Sequence, residues 1–206
     1  MPDPESGLRA TKKKRTRAAI LGNAIALFRR QGIRATRSAE IAAASQVSVA
    51  TLFNYFATKN DLAEAWVRGE IHDALEELVR NSGDHGIRPG LRAGCRRLAE
   101  SSCRERRLRL EAWRSAGRAA AEPLGRIEVL VRIIEREQQR ARLRADLPAS
   151  TVAEMLIEAL EGGLIAGLRA SGDASEVAAR IRARVDLTLD GARKRNERVS
   201  APAPAR

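Results

Sequence analysis

Apolar residues recur along most of the chain at helical spacing. Ile20, Leu21, Ala24, Ile25, Leu27 and Phe28 define one face of a first helix. No run of alternating β-branched residues bounded by turns interrupts the pattern. Of the seven prolines, Pro2, Pro4, Pro148, Pro202 and Pro204 lie in tails or at a segment boundary, while Pro89 and Pro123 fall where a new helix can begin. The chain is therefore predicted to be all-α, with about nine helices over 12–31, 38–45, 49–56, 60–81, 89–101, 104–118, 123–142, 149–170 and 174–194. The breaks have their own chemistry: Gly32 closes the first helix, Ser48 can cap the third, Asn81 to Gly86 form a polar turn, and Ser171-Gly172-Asp173 separates the last two helices. The absence of a repeat of fixed period argues against a helical solenoid.

Composition then narrows the class. With 206 residues, 44% of them hydrophobic, the chain can bury a substantial core and is not wholly disordered. The most apolar tract, Met155 to Leu168, is broken by Glu158 and Glu161, so no stretch suits a bilayer span. The start, Met1-Pro2-Asp3-Pro4-Glu5, lacks the cationic end and apolar core of a secretory signal, and a cytoplasmic location is expected. Cys95 and Cys103 have neither disulfide-scaffold nor zinc-site spacing. His72 and His85 have no metal-ligand spacing with each other or with the cysteines, and no nucleophile elbow, phosphate loop, dinucleotide fingerprint or zinc-protease motif occurs. No catalytic residues, metal or cofactor are expected.

Charge is unevenly spread. Residues 1–62 carry 11 Lys and Arg against 4 Asp and Glu, a net of +7; the remaining 144 carry 27 against 22, a net of +5. Concentrated positive charge implies a polyanionic partner, nucleic acid or anionic lipid. The excess of arginine over lysine, 33 to 5, is also compatible with a merely solvated surface. The charge shift suggests a basic helical front part over 12–60, a body over 61–196, a disordered N-terminus over 1–11 and a disordered tail over 197–206.

Within the basic part, Thr36 to Phe56 has the pattern of a helix-turn-helix: a short helix, a tight connection at Gln46 and Val47, and a second short helix opening at Ser48. Val49, Leu52 and Phe56 are spaced to face inward toward Ile41, Leu27 and Phe28. Ala50, Thr51 and Asn54 then face outward, where small residues permit close approach to a major groove and an asparagine can bond a base edge bidentately. Phe53 and Tyr55 flank that face, Tyr55 offering a hydroxyl to a phosphate and Phe53 touching a thymine methyl or sugar edge. Thr36 is expected to cap the second helix, leaving its amides near a phosphate, and Lys59 to reach another. Lys12, Lys13, Lys14 and Arg15, with Arg17, form either a frayed basic arm tracking the DNA backbone or a solvated helix start. The arm is favoured because four consecutive like charges repel unless an anion meets them.

The strings Thr16-Arg-Ala-Ala-Ile-Leu21, Ala26-Leu-Phe-Arg-Arg-Gln-Gly32, Ile41-Ala42 and Val47-Ser-Val-Ala-Thr-Leu-Phe-Asn-Tyr-Phe-Ala-Thr-Lys-Asn-Asp-Leu62 closely resemble the DNA-binding domain of the TetR family of transcriptional regulators. The likeness spans residues 16–62. It implies phosphate contacts from Thr36, Ser48, Thr51, Tyr55 and Lys59, and groove contacts from Val49, Ala50, Phe53 and Asn54. Three positions depart from the family pattern: Gln46 replaces the usual turn glycine, Ala50 an early glycine of the recognition helix, and Phe53 the usual tyrosine. Gln46 implies a turn that avoids positive φ or tolerates strain, and Phe53 removes a hydroxyl, so the preferred operator should differ.

Beyond residue 62 only the family's general plan carries over: a helical domain that binds a small ligand and dimerises through its last two helices. The eighth helix is rich in small residues, Ala153, Ala159, Gly162, Gly163, Ala166, Gly167 and Ala170, beside Met155, Leu156, Leu160 and Leu164. Each mid-helix glycine costs about 0.5–1 kcal/mol relative to alanine, so a close neighbouring helix is implied. The expected dimer interface is Met155, Ala159, Gly162, Gly163, Ala166 and Gly167 with Val177, Ile181 and Val185; packing within one chain is the alternative. A two-fold dimer would set two recognition helices about 34–36 Å apart or somewhat more, matching a palindromic operator. Trp66 and Trp113 are the body's only aromatics, so any effector cavity should be aliphatic; His72, Arg96, Glu100, Cys103, Glu111 and Arg114 are polar candidates near it, none assignable from sequence. The leading expectation is a ligand-released homodimeric repressor acting on double-stranded DNA with no membrane partner. The alternative is a basic helical interaction protein that binds anionic membranes or acidic proteins.

Overall fold

A computed structural model describes residues 4–82, 86–116, 127–170 and 172–193. Nine helices occur among them: α1 (Pro4–Gln31), α2 (Ser38–Ala44), α3 (Val49–Tyr55), α4 (Lys59–Asn81), α5 (Ile87–Cys103), α6 (Arg106–Ala116), α7 (Ile127–Gln139), α8 (Ala149–Arg169) and α9 (Ala174–Gly191). The described residues include no strand, only an isolated antiparallel bridge between Leu143 and Arg193. None of their helices is long and apolar enough to cross a membrane. The all-α expectation holds, with two corrections at helix starts. Residues 4–11, expected to be disordered, continue α1, which opens on Pro4 at a position where a missing N–H costs nothing. α5 begins at Ile87 and takes Pro89 into its first turn, where the amide would have no helical acceptor. Pro123, Gly83 to His85, Ser171 and the tail over 197–206 lie outside the described residues.

The helices enclose two hydrophobic cores threaded by one helix. The first joins Ile20, Ala24, Leu27 and Phe28 of α1 to Ile41, Leu52 and Phe56, and is completed by Leu62, Ala63, Trp66 and Val67 of α4 and Ala112 of α6. The second starts on the same α4 at Ile71, Ala74, Leu75 and Leu78 and runs through α5, α7, α8 and α9. The first two turns of α4 therefore pack with the basic part, although the chemistry of the sequence changes near residue 60. Cys95 lies in the second core, where burial pushes its thiol up to about 12 and leaves it unreactive.

Four glycines set the closest helix approaches. A Cβ on Gly94 of α5 would sit 2.6 Å from the Ala74 carbonyl oxygen of α4, and one on Gly90 would collide with Leu78. On α8 a Cβ at Gly163 would lie 2.6 Å from the Ile181 Cα of α9, and one at Gly167 would lie 2.9 Å from Val177 Cγ1. Here the expected dimer interface is corrected. Gly163, Gly167, Val177, Ile181 and Val185 are buried against one another within the chain, so the α8–α9 contact itself accounts for these glycines. Gly94→Ala should gain helix propensity yet lose about 1–3 kcal/mol through overpacking against the α4 backbone, a net fall in stability that a urea melt will register.

The two cores meet at a buried ion cluster. The Arg109 guanidinium of α6 is 2% exposed, lies 3.9 Å from the Trp66 ring centroid, and pairs with Glu70 of α4. Glu105 stands 3.4 Å from Arg109 Nη2 and accepts a 2.6 Å bond from Arg29 Nε of α1. Ser102 Oγ donates to Glu70 at 3.3 Å. Burial raises the Glu70 carboxyl against the opposing pull of Arg109, and burial lowers the Arg109 guanidinium. Midway along α6, Glu111 accepts the Arg34 amide at 3.2 Å, a second hold on the basic part beside that of Glu105.

Candidate nucleic-acid interface

The corner that positions the recognition helix is built from local bonds. Gly32 ends α1 at φ +85°, its N–H donating to the Phe28 carbonyl at 2.8 Å. Arg37, not Thr36, is the N-cap of α2, and its N–H donates to Glu40 Oε2 at 2.8 Å. That backbone bond holds the Glu40 carboxyl below its ordinary range. Thr36 is corrected on both counts. Its side chain is buried and its hydroxyl donates to the Gly32 carbonyl at 2.7 Å, so it neither caps α2 nor faces a duplex.

Between α2 and α3 the chain turns at Gln46, whose φ of 54° lies in the left-handed region that favours glycine. The turn tolerates strain rather than avoiding positive φ. Gln46→Gly should relieve about 1–2 kcal/mol of conformational cost, partly offset by the entropy glycine loses; a thermal melt should show the variant at least as stable as the parent.

Ser48 caps α3 as expected, accepting the Thr51 amide at 3.0 Å, and its hydroxyl lies 2.8 Å from Thr51 Oγ1. The outcome along α3 is two-faced. Leu52 is 1% exposed and Phe56 is buried, both in the first core. Ala50 and Asn54 are exposed, with Phe53 44% exposed, while Thr51 and Tyr55 are half-buried. Val49 is corrected from inward packing to an exposed position. It stands at the first helical position, where the side chain leans back past the start of the helix and beyond the core. Positions 49, 50, 53 and 54 thus form one exposed helical patch of small, apolar and amide groups.

The cations around this patch are arranged differently from the sequence expectation. Lys12, Lys13, Lys14 and Arg15 are exposed on a continuous α1, not on a frayed arm. Arg17 places its guanidinium 4.4 Å from the Phe56 ring centroid, tying α1 to the end of α3. Lys59 Nζ donates to the Arg34 and Thr36 carbonyls at 3.0 and 2.9 Å, so it clamps the α1–α2 loop and has one donor left for a phosphate. Two features escaped the sequence reading. Arg34 and Arg37 add exposed cations on that loop. Thr58 and Asp61 form a reciprocal capping box that starts α4, signalled by the Thr-x-x-Asp spacing.

Residues 20–66 match the sequence profile of the bacterial regulatory proteins of the tetR family. The chain carries a TetR-family DNA-binding domain. Its whole fold is also that of solved TetR-family regulators. Similar structures include FadR of Thermus thermophilus, a TetR-family transcriptional repressor solved with lauroyl-CoA, at 24% identity over 92% of this chain and 99% of that one, TM-score 0.62. A TetR-family regulator of Pectobacterium atrosepticum is similar at 20% identity over 90% and 97%, TM-score 0.63. SmeT in complex with triclosan is similar at 22% identity over 92% and 99%, TM-score 0.51. No curated protein sequence matches the chain. The matched profile thus ends inside α4, at Trp66, one of the residues of the first core.

Proposed function

We propose that the protein is a homodimeric repressor that binds a palindromic operator and is released by a small effector. The observation that carries this reading is the exposed patch of Val49, Ala50, Phe53 and Asn54 on a helix whose opposite face, Leu52 and Phe56, is locked in the core. Such a helix can enter a major groove without disturbing the fold. Ser48, Thr51, Tyr55 and the free donor of Lys59 are proposed to meet phosphates. The test is selection of bound fragments from a random duplex pool with the full-length protein. An enriched inverted repeat supports the reading; sequence-independent recovery, or binding to anionic vesicles alone, favours the basic interaction protein instead.

For the dimer, the proposed face is what α8 and α9 leave outside: Met155 at 48% exposure, the half-exposed Ala159, Gly162 and Ala166 at helical spacing, and Leu187 at 76% exposure. Small residues beside exposed apolar ones suit close packing against a second copy. For the effector, FadR and SmeT were solved with lauroyl-CoA and triclosan, so those two proteins of this fold hold small molecules. The corresponding proposal here is a cleft of about 290 Å³ between α4 and α7, floored by Leu75, Leu78, Leu130 and Ile133 with His72 at its rim. An apolar occupant there would push on α4, which also carries Trp66 of the DNA-binding core. A coupling of about 1–3 kcal/mol suffices for a 5- to 150-fold change in operator affinity.

Neutralising the exposed lysines of α1 tests the phosphate contacts. Lys12→Gln, Lys13→Gln and Lys14→Gln together should reduce the slope of log K against log salt by about 0.9 for each contact removed. An unchanged slope would place α1 off the duplex.

A further inference from the structure

Away from the DNA-binding face, α5 and α9 pack antiparallel and leave a groove of about 450 Å³. Its floor is made of small residues, Ala174, Ala178 and Ala179, over the buried Cys95. Its walls are charged. Arg92 and Arg96 stand one helical turn apart on α5, Arg182 faces them from α9, and Glu100 is the one carboxylate in the lining. Arg92 and Arg96 occupy an i, i+4 pair, where like charges oppose each other.

Their neighbours show how this surface treats other arginines. One turn away, Arg88 of α5 is held by Asp186 at 2.7 Å and by Asp190, both on α9. Arg97 reaches Glu77 at 3.8 Å, and Arg80 reaches the same carboxylate at 2.6 Å. No carboxylate among the described residues pairs with Arg92, Arg96 or Arg182; the nearby Asp186 is taken by Arg88. Three exposed guanidinium groups therefore line a recess whose alanine floor leaves room between them. Guanidinium forks match phosphate oxygens bidentately, and a recess of this volume falls within the range of small-molecule sites.

We propose that this groove binds a small phosphate-bearing molecule, a diphosphate in its simplest form, through Arg92, Arg96 and Arg182. The site is separate from the α4–α7 cleft and from the exposed α8–α9 face. It joins α5, which packs on α4, to α9, which packs on α8, so its occupant would fasten the two halves of the body. The reading does not depend on the operator or on the apolar effector.

The probe is inorganic pyrophosphate, titrated calorimetrically into the full-length protein at fixed salt. One saturable site per chain is expected. Arg92→Gln with Arg96→Gln, and separately Arg182→Gln, should weaken it at least tenfold while leaving circular dichroism and melting unchanged, since all three side chains are exposed. Arg136→Gln on α7 and the Lys12 to Lys14 triple variant should leave it intact. Absence of saturation, or equal weakening by either control, overturns the proposal, because the anion would then be answering net charge. So would a groove variant that loses random duplex DNA while still binding pyrophosphate as the parent does, which would make the groove a nucleic-acid contact.

Discussion

Arg109→Met is expected to lower folding stability by about 3 kcal/mol, the low end of the cost of breaking a buried ion pair. The figure is held down by two features of the site. Arg109 Nε and Nη1 are buried without hydrogen-bond partners, and methionine removes that burden. Ser102 also remains as a donor to Glu70. Against this stand the loss of the cation over Trp66 and an unpaired carboxylate between α4 and α6. A second substitution separates the two contributions. If the stranded Glu70 dominates, Arg109→Met with Glu70→Leu should recover at least half of the loss in a double-mutant cycle by urea melting. A double variant as unstable as the sum of the singles would mean that packing on Trp66, not the ion pair, makes the junction. The cluster is also one route from the start of α6 to the DNA-binding part, through Glu105 to Arg29, beside the Glu111–Arg34 bond. The single variant should therefore weaken coupling between effector and operator even at temperatures where it remains folded.

This junction was not legible in the sequence. Arg109 is one of four arginines, with Arg104, Arg106 and Arg107, in a six-residue stretch, and only the tertiary approach of Trp66 and Glu70 distinguishes it. Leu52, Phe56 and Asn54, in contrast, were placed by periodicity alone, because a capped helix with a defined start has little freedom in which face it buries. Val49 and Thr36 fall at helix ends, where that periodicity has not begun and where a shift of one residue exchanges cap for core. The glycines of α8 exposed a different limit. A missing Cβ announces a close helix but not whose helix it is; at Gly163 and Gly167 it is the chain's own α9. The glycine turn of the family pattern was readable at Gln46 only as a conflict, which the backbone resolves by adopting positive φ with a side chain attached.

Asn54→Ala should cost operator binding about 1–3 kcal/mol, roughly 5- to 150-fold in affinity, because the proposed bidentate amide contact to a base edge would be lost with nothing to replace it. The exposure of Asn54 means that folding should be unaffected, so the effect separates recognition from stability. Leu52→Ala is the contrasting case: it empties a buried position and should cost about 2–5 kcal/mol of stability, abolishing specific and random duplex binding alike. Random-sequence affinity is the deciding readout for Asn54. Phosphate contacts set that affinity, and Asn54→Ala should leave it within a factor of about two at fixed salt. Phe53→Tyr supplies the third arm. It adds a hydroxyl to the one aromatic of the patch, and should shift which base pairs are preferred more than how tightly the best site binds. Equal loss of specific and random binding in Asn54→Ala would show that the amide meets the backbone. Full retention of both would turn the 49, 50, 53, 54 patch away from the groove.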